Sequence, residues 1–135
     1  MSASRRTVRV GCYVALAILG ASATGWAQEK ALVVSRPKIE TKVTADLADV
    51  GLAGQSTALL VTIAPGIMTE DHVHAGRNSL LVVVQGTLTE VRAGAKRVFK
   101  PGDVLNVAEG VTHHAENYGS EPLVYVEVNT TAKKP

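Results

Sequence analysis

All four histidines of this chain fall in two short stretches, His72-Val73-His74 and His113-His114. Neutral imidazole is the commonest side-chain metal ligand, so this clustering is the first chemical signal in the sequence. The i, i+2 spacing of His72 and His74 puts both rings on one face of an extended strand. His113 arrives from a separate segment as a third imidazole. Three such nitrogens can close a metal site that keeps coordination positions open for water or substrate. Alternation sends His114 to the opposite face of its strand, where a surface or interface role is expected. These ligands do not separate Fe, Mn, Zn, Ni and Cu.

The elements that must position these rings read as β-structure. Thr57–Ile63 is rich in Leu, Val and Thr and closes at Pro65-Gly66. Leu80–Val84 is apolar throughout, which predicts a strand buried on both faces. Thr87–Arg92 alternates, which predicts one solvent-facing side. Ala93-Gly94-Ala95 reads as a hairpin connection to Lys96–Lys100, and Pro101-Gly102-Asp103 as a turn. Val104–Val107 and Leu123–Val128 complete the set of strands. Phe99 and Tyr125 lie in apolar strands and read as core, and Asn117 as a residue that ties down a turn. Residues 28–56 are less regular: Ala31–Ser35 is a candidate strand, and Thr44–Gly54 reads as a loop or a short helical turn. Residues 57–130 form the predicted core, 131–135 a frayed tail. Many short strands with Gly and Pro turns indicate an all-β sandwich or barrel.

Residues 1–27 read differently. Arg5, Arg6 and Arg9 precede an apolar run from Cys12 to Gly20, and small residues follow to Ala27. This is the pattern of a secretory signal peptide, with cleavage expected after Ala27 and Ala21-Ser22-Ala23 as the alternative. The apolar run is short for a bilayer span, so no stable membrane anchor is expected after cleavage. Ser4-Arg5-Arg6-Thr7-Val8 also resembles a twin-arginine export signal, although Val8 and Arg9 replace its usual Phe-Leu. Either route predicts a periplasmic or secreted protein. Cleavage removes three of the 14 basic residues and none of the 12 acidic ones, so the formal charge passes from +2 to −1. The basic balance therefore belongs to the leader, and no nucleic-acid partner is expected. The single cysteine, Cys12, leaves with it. No disulfide or cysteine nucleophile remains. Phosphate-cradling glycine loops, a Ser/His/Asp arrangement and zinc-finger spacing are absent.

Two spacings resemble a known family. Gly66, His72-Val73-His74, Ser79 and Gly86 stand where the first cupin motif has its landmarks. Gly102, Ala108-Glu109-Gly110, His113 and Asn117 are similar to the second. The resemblance implies a double-stranded β-helix, or jelly-roll, barrel. It implies that His72, His74 and His113 point into the barrel mouth and bind one divalent metal. It also implies a glutamate ligand at the position that Ser79 holds here, and a proline where Ala108 stands. A serine hydroxyl stays protonated near neutral pH and is a poor ligand for Fe(II) or Zn(II).

Without that glutamate, three neutral imidazoles leave the ion's charge uncompensated by protein, which favours an anionic small-molecule ligand. The resemblance points to dioxygenase- or isomerase-type chemistry, because three-histidine iron sites that activate oxygen occur in the superfamily. The alternative is a non-catalytic periplasmic cupin that binds or senses a metabolite or metal. Arg77, Asn78 and Ser79 are candidate pocket residues. Glu70 and Asp71 are candidates only by their proximity to His72. The resemblance further implies a homodimer.

Overall fold

The computed structural model describes residues 31–47 and 54–132. The predicted leader therefore lies outside the described residues. The described chain carries eleven strands, and no helix among the described residues is long and apolar enough to cross a membrane. The strands are β1 (Val33–Val34), β2 (Lys38–Asp46), β3 (Gly54–Ile63), β4 (Ile67–Met68), β5 (His72–Val73) and β6 (Asn78–Gln85). They continue as β7 (Leu88–Arg92), β8 (Ala95–Phe99), β9 (Val104–Val107), β10 (Thr112–Glu116) and β11 (Leu123–Ala132).

Two sheets face each other. One runs β1-β4-β10-β7-β8, with β5 also paired to β10; the other runs β2-β3-β11-β6-β9. The core between them is aliphatic. Val61, Ile63, Leu81, Val83, Leu105, Val107, Leu123 and Tyr125 come from the second sheet, and Leu88, Phe99 and Ala115 from the first. Each Val, Leu, Ile or Phe side chain among them contributes roughly 1.5–3 kcal/mol on burial.

The inward positions are not uniformly apolar, and this locates the site. Along β11 they read Leu123, Tyr125, Glu127, Asn129, all buried. On the neighbouring β6 they read Ser79, Leu81, Val83, with Ser79 opposite Asn129 and Val83 opposite Tyr125. Both strands thus turn polar toward the same end of the sandwich. Burying polar groups there is costly unless they are hydrogen-bonded.

The all-β expectation holds, and several local expectations are corrected. β6 is buried on one face only: Leu80 and Val84 are 50% and 53% exposed. Its sheet turns an outer face to solvent. β7, expected to be half solvated, has Leu88, Thr89, Glu90 and Val91 all buried. It lies inside its sheet, and its outward residues Thr89 and Val91 are flanked by Glu116, His114 and Lys96 across the ladders. Thr44–Asp46 and Gly54, read as parts of a loop or short helical turn, belong to β2 and β3, and residues 48–53 of that reading lie outside the described residues. β2 is exposed along nearly its whole length, so no apolar alternation marked it. β11 extends through Thr131 and Ala132, the first two residues of the expected frayed tail, which pair with β3; residues 133–135 lie outside the described residues.

The β7–β8 hairpin follows the sequence reading. Ala93 and Gly94 both take positive φ, 48° and 78°. Two such residues in a two-residue loop form the turn whose twist matches the flanking strands.

Candidate metal centre

The register of the ladders explains why the histidines meet. His113 on β10 is the direct cross-strand partner of His72 on β5. Opposed residues on an antiparallel pair share a face, with Cβ atoms about 5 Å apart. The two ring centroids are 4.5 Å apart. His74, two residues beyond His72, joins the same face, its ring 5.3 Å from that of His72 and 5.0 Å from that of His113. One ligand nitrogen from each ring lies within 4.8 Å of the others.

The donor set fits a divalent ion. His74 Nε2 and His113 Nε2 are 3.2 Å apart. Two nitrogens at about 2.0–2.1 Å from a tetrahedral ion are separated by roughly 3.3 Å. His72 Nδ1 lies 2.9 Å from the Glu70 carbonyl oxygen. A carbonyl only accepts, so Nδ1 carries the proton and His72 Nε2 keeps its lone pair. His113 Nδ1 is buried without a hydrogen-bond partner and faces Glu90 Oε1 at 3.4 Å. His74 and His113 are almost fully buried, whereas His72 is exposed.

Burial sets the charge of these rings. It pushes the His74 pKa down to about 4, with the positive charges of Arg77 and His72 adding to the effect. It pushes His113 down to about 3, helped by His72, His74, Arg92 and His114. Both are neutral at pH 7, the form that ligates metal.

A cavity of about 270 Å³ opens beside the rings. Its wall includes His72, His74, Arg77, Glu127 and Tyr125, with Ile39, Leu59 and Val61 supplying apolar surface. Glu70 and Asp71 border it too. Of the candidate pocket residues, only Arg77 lines the wall. Asn78 is exposed and its Oδ1 accepts from the Glu109 amide. Ser79 is fully buried and bonds His74 Nδ1, the ring edge opposite Nε2. Tyr125 is core as expected but also borders the cavity; burial, with the negative charge of Glu127 nearby, raises its pKa.

His114 points away from His113. Its Nδ1 contacts Asp71 Oδ1 at 2.6 Å and its Nε2 lies 3.3 Å from Glu116 Oε1. Asn117 ties the turn as read: its Nδ2 donates to the Ile63 and Glu121 carbonyls, and its Oδ1 accepts from Gly119 N.

Sequence reasoning missed Glu90, Glu127 and Asn129. Glu90 is 1% exposed and pairs with Arg92 at 2.5 Å. Glu127 Oε1 lies 3.8 Å from His74 Nδ1. On β11 the polar residues share the parity of Leu123 and Tyr125. The all-valine parity, Val124, Val126 and Val128, is the one that looks like core in sequence.

This geometry matches a known family: the profile of the cupin domain covers residues 59–129. The chain belongs to the cupin family. Oxalate decarboxylase OxdC of Bacillus subtilis is 33% identical over 89 residues, 62% of this chain. The cupin chain spans only 23% of that enzyme's length. Among solved structures, a protein with a double-stranded β-helix domain from Klebsiella pneumoniae superposes with a TM-score of 0.61 at 21% identity, covering 78% of this cupin and 87% of that chain. A sugar phosphate isomerase of the cupin superfamily from Silicibacter pomeroyi superposes at 0.52 and 24% identity, covering 68% and 59%. These two likenesses speak for the fold alone.

Proposed function

We propose that this cupin holds one divalent metal ion through His72, His74 and His113 and uses it to bind a small anionic ligand in the adjoining cavity. The convergence of three imidazole nitrogens within 4.8 Å of one another carries this reading. Two of the rings are kept neutral by burial, so no proton has to leave before they ligate at pH 7. His72 is the exposed member of the set, so its ring is the one that would adjust to hold an ion with the two buried rings.

The ligand is anionic because three uncharged donors leave a bound ion's two positive charges uncompensated; on the cavity wall Arg77 and Arg36 offset part of the charge of Glu70, Asp71 and Glu127. It is small, because about 270 Å³ is at the low end of ligand pockets. Oxalate, in the name of the matched relative, is an anion of that kind. A bound ion polarises ligand oxygen atoms as a Lewis acid, and iron adds dioxygen chemistry. The chain's own part is to place the ligand against Ile39, Leu59 and Val61 and to offer Glu127 as a group that exchanges a proton with it. Dioxygenase- or isomerase-type turnover is the reaction class we assign.

A second reading, a non-catalytic binder or sensor, is favoured by one observation: Ser79 stands where the family resemblance gives a ligating carboxylate. Export to the periplasm or beyond is part of the proposal and rests on the pattern of residues 1–27. A homodimer is part of it as well, supported by the exposed apolar residues Leu80, Val84 and Val104 on one sheet.

Elemental analysis of the purified protein tests the metal reading. Near-stoichiometric metal, lost in a His72→Ala/His113→Ala variant, is expected. Protein that stays metal-free and keeps its melting temperature when iron or zinc is added refutes it. Oxygen consumption with diketones, thiols and phenols separates the dioxygenase from the binder.

A further inference from the structure

Asn129 on β11 and Ser79 on β6 are direct cross-strand partners, and their side chains meet inside the sandwich. The Ser79 hydroxyl lies 2.5 Å from Asn129 Oδ1, and Arg77 Nε donates to the same oxygen at 3.0 Å. Ser79 Oγ also contacts His74 Nδ1. Ser79 is fully buried and Asn129 nearly so, so water does not compete for these contacts.

The direction of each bond follows from what each group is able to donate. A guanidinium only donates. The Asn129 atom facing Arg77 is therefore its oxygen, which settles the orientation of the amide. A hydroxyl has one proton, and Ser79 gives it to that oxygen. Only lone pairs of Oγ then face His74, so His74 Nδ1 must carry the ring proton. A neutral imidazole has one such proton, which leaves Nε2 bare. That nitrogen is the one facing His113 Nε2 at 3.2 Å.

We infer that Arg77, Asn129 and Ser79 form a hydrogen-bond network, converging on Asn129 Oδ1, that fixes the tautomer of His74 and aims its Nε2 lone pair at the metal position. Ser79 and Asn129 are thus positioning residues. The inference rests on the metal reading for its purpose, but the tautomer itself exists without the metal. It assigns Ser79 a task that a ligating carboxylate at the same place would not perform. Arg77 also lines the cavity wall, so the residue that holds the Asn129 amide in place is one that an anion there would meet.

Long-range ¹⁵N–¹H correlation spectra of the metal-free protein at pH 7.5 read the tautomer directly, and zinc titration against a competing chelator reads its consequence. Wild type should show His74 as the Nδ1–H form. Ser79→Ala should shift His74 toward the Nε2–H form and weaken zinc binding by roughly 10- to 100-fold, the usual effect of losing a partner behind a ligand. Arg77→Met, which frees the amide to flip, should move the tautomer in the same direction, and Asn129→Asp, which keeps the acceptor, should preserve it. Where Ser79→Ala does not fold, the half-buried Arg77 position decides the matter. His74 found as Nε2–H in wild type, or a tautomer unmoved by both Ser79→Ala and Arg77→Met, overturns the network. Wild-type protein that takes up no zinc overturns the metal reading instead, and the tautomer spectra still decide the network.

Discussion

Acidification should unfold the metal-free protein through His74 and His113, and the size of the effect follows from their burial. An unfolded histidine titrates near 6.5, while burial holds these two at about 4 and about 3. Between those values the unfolded chain binds protons that the folded chain refuses, so stability rises with pH. The contribution is complete above about 6.5 and is lost as the pH falls toward the folded values. At pH 5 the unfolded histidine sits 1.5 units below its reference value and the folded ones remain neutral. At about 1.4 kcal/mol per unit, each histidine then costs about 2 kcal/mol, nearly independently of how deep its folded pKa lies. Urea unfolding in the presence of chelator, repeated from pH 7.5 to 5, measures this. His113→Gln keeps a polar side chain of similar size and cannot titrate. Its stability should fall by about 2 kcal/mol less than wild type over that interval. Parallel curves for the two proteins would refute the claim that His113 is buried neutral.

The two exposure classes of ligand should separate in mutants. His72→Ala should abolish tight metal binding and leave metal-free stability within about 0.5 kcal/mol, whereas His113→Ala should cost about 2–3 kcal/mol because it also leaves buried Glu90 facing a void; chelator titration and urea unfolding read both, and equal stability losses contradict the assignment. Ala93 sits at φ 48°, so Ala93→Asn should raise stability by about 0.5–1 kcal/mol, seen as a higher melting temperature. The proposed homodimer predicts twice the monomer mass in sedimentation and dissociation on Leu80→Glu or Val104→Lys; a wild-type monomer at micromolar concentration removes it.

Most of the strands, and the His72 and His74 pair, were legible because their signals are local. Spacing of two marks the shared face of His72 and His74, and Gly-Pro punctuation marks the turns. The clustering of histidines suggested His113 as a third donor, but its pairing with His72 was not legible, since cross-strand register is a long-range property. What stayed hidden had one physical cause. Which face of a strand is covered depends on its place in the sheet, not on its own sequence. Leu80–Val84 looks doubly buried and is not, while Leu88–Val91 looks half solvated and is buried. The same ambiguity concealed Glu127 and Asn129, which lie on the less hydrophobic parity of β11.

The carboxylates of this site stand behind the rings instead of among the donors, and this arrangement has an electrostatic consequence. Glu90 faces Nδ1 of His113, and Glu127 lies near Nδ1 of His74. A negative group placed there favours the Nδ1–H form and raises the basicity of the ligating nitrogen. It stabilises a cation among the rings without using a coordination position. A ligating carboxylate would supply more attraction, but it would take one position and neutralise one of the ion's two charges. Placing the charge one imidazole away trades some metal affinity for an ion that still attracts an anion and has room for it. On the proposed function, metal uptake and anion capture are therefore opposing demands at this site. On that reading, a serine at position 79 favours anion capture, and its hydrogen bond to His74 would restore part of the order that a fourth protein ligand imposes.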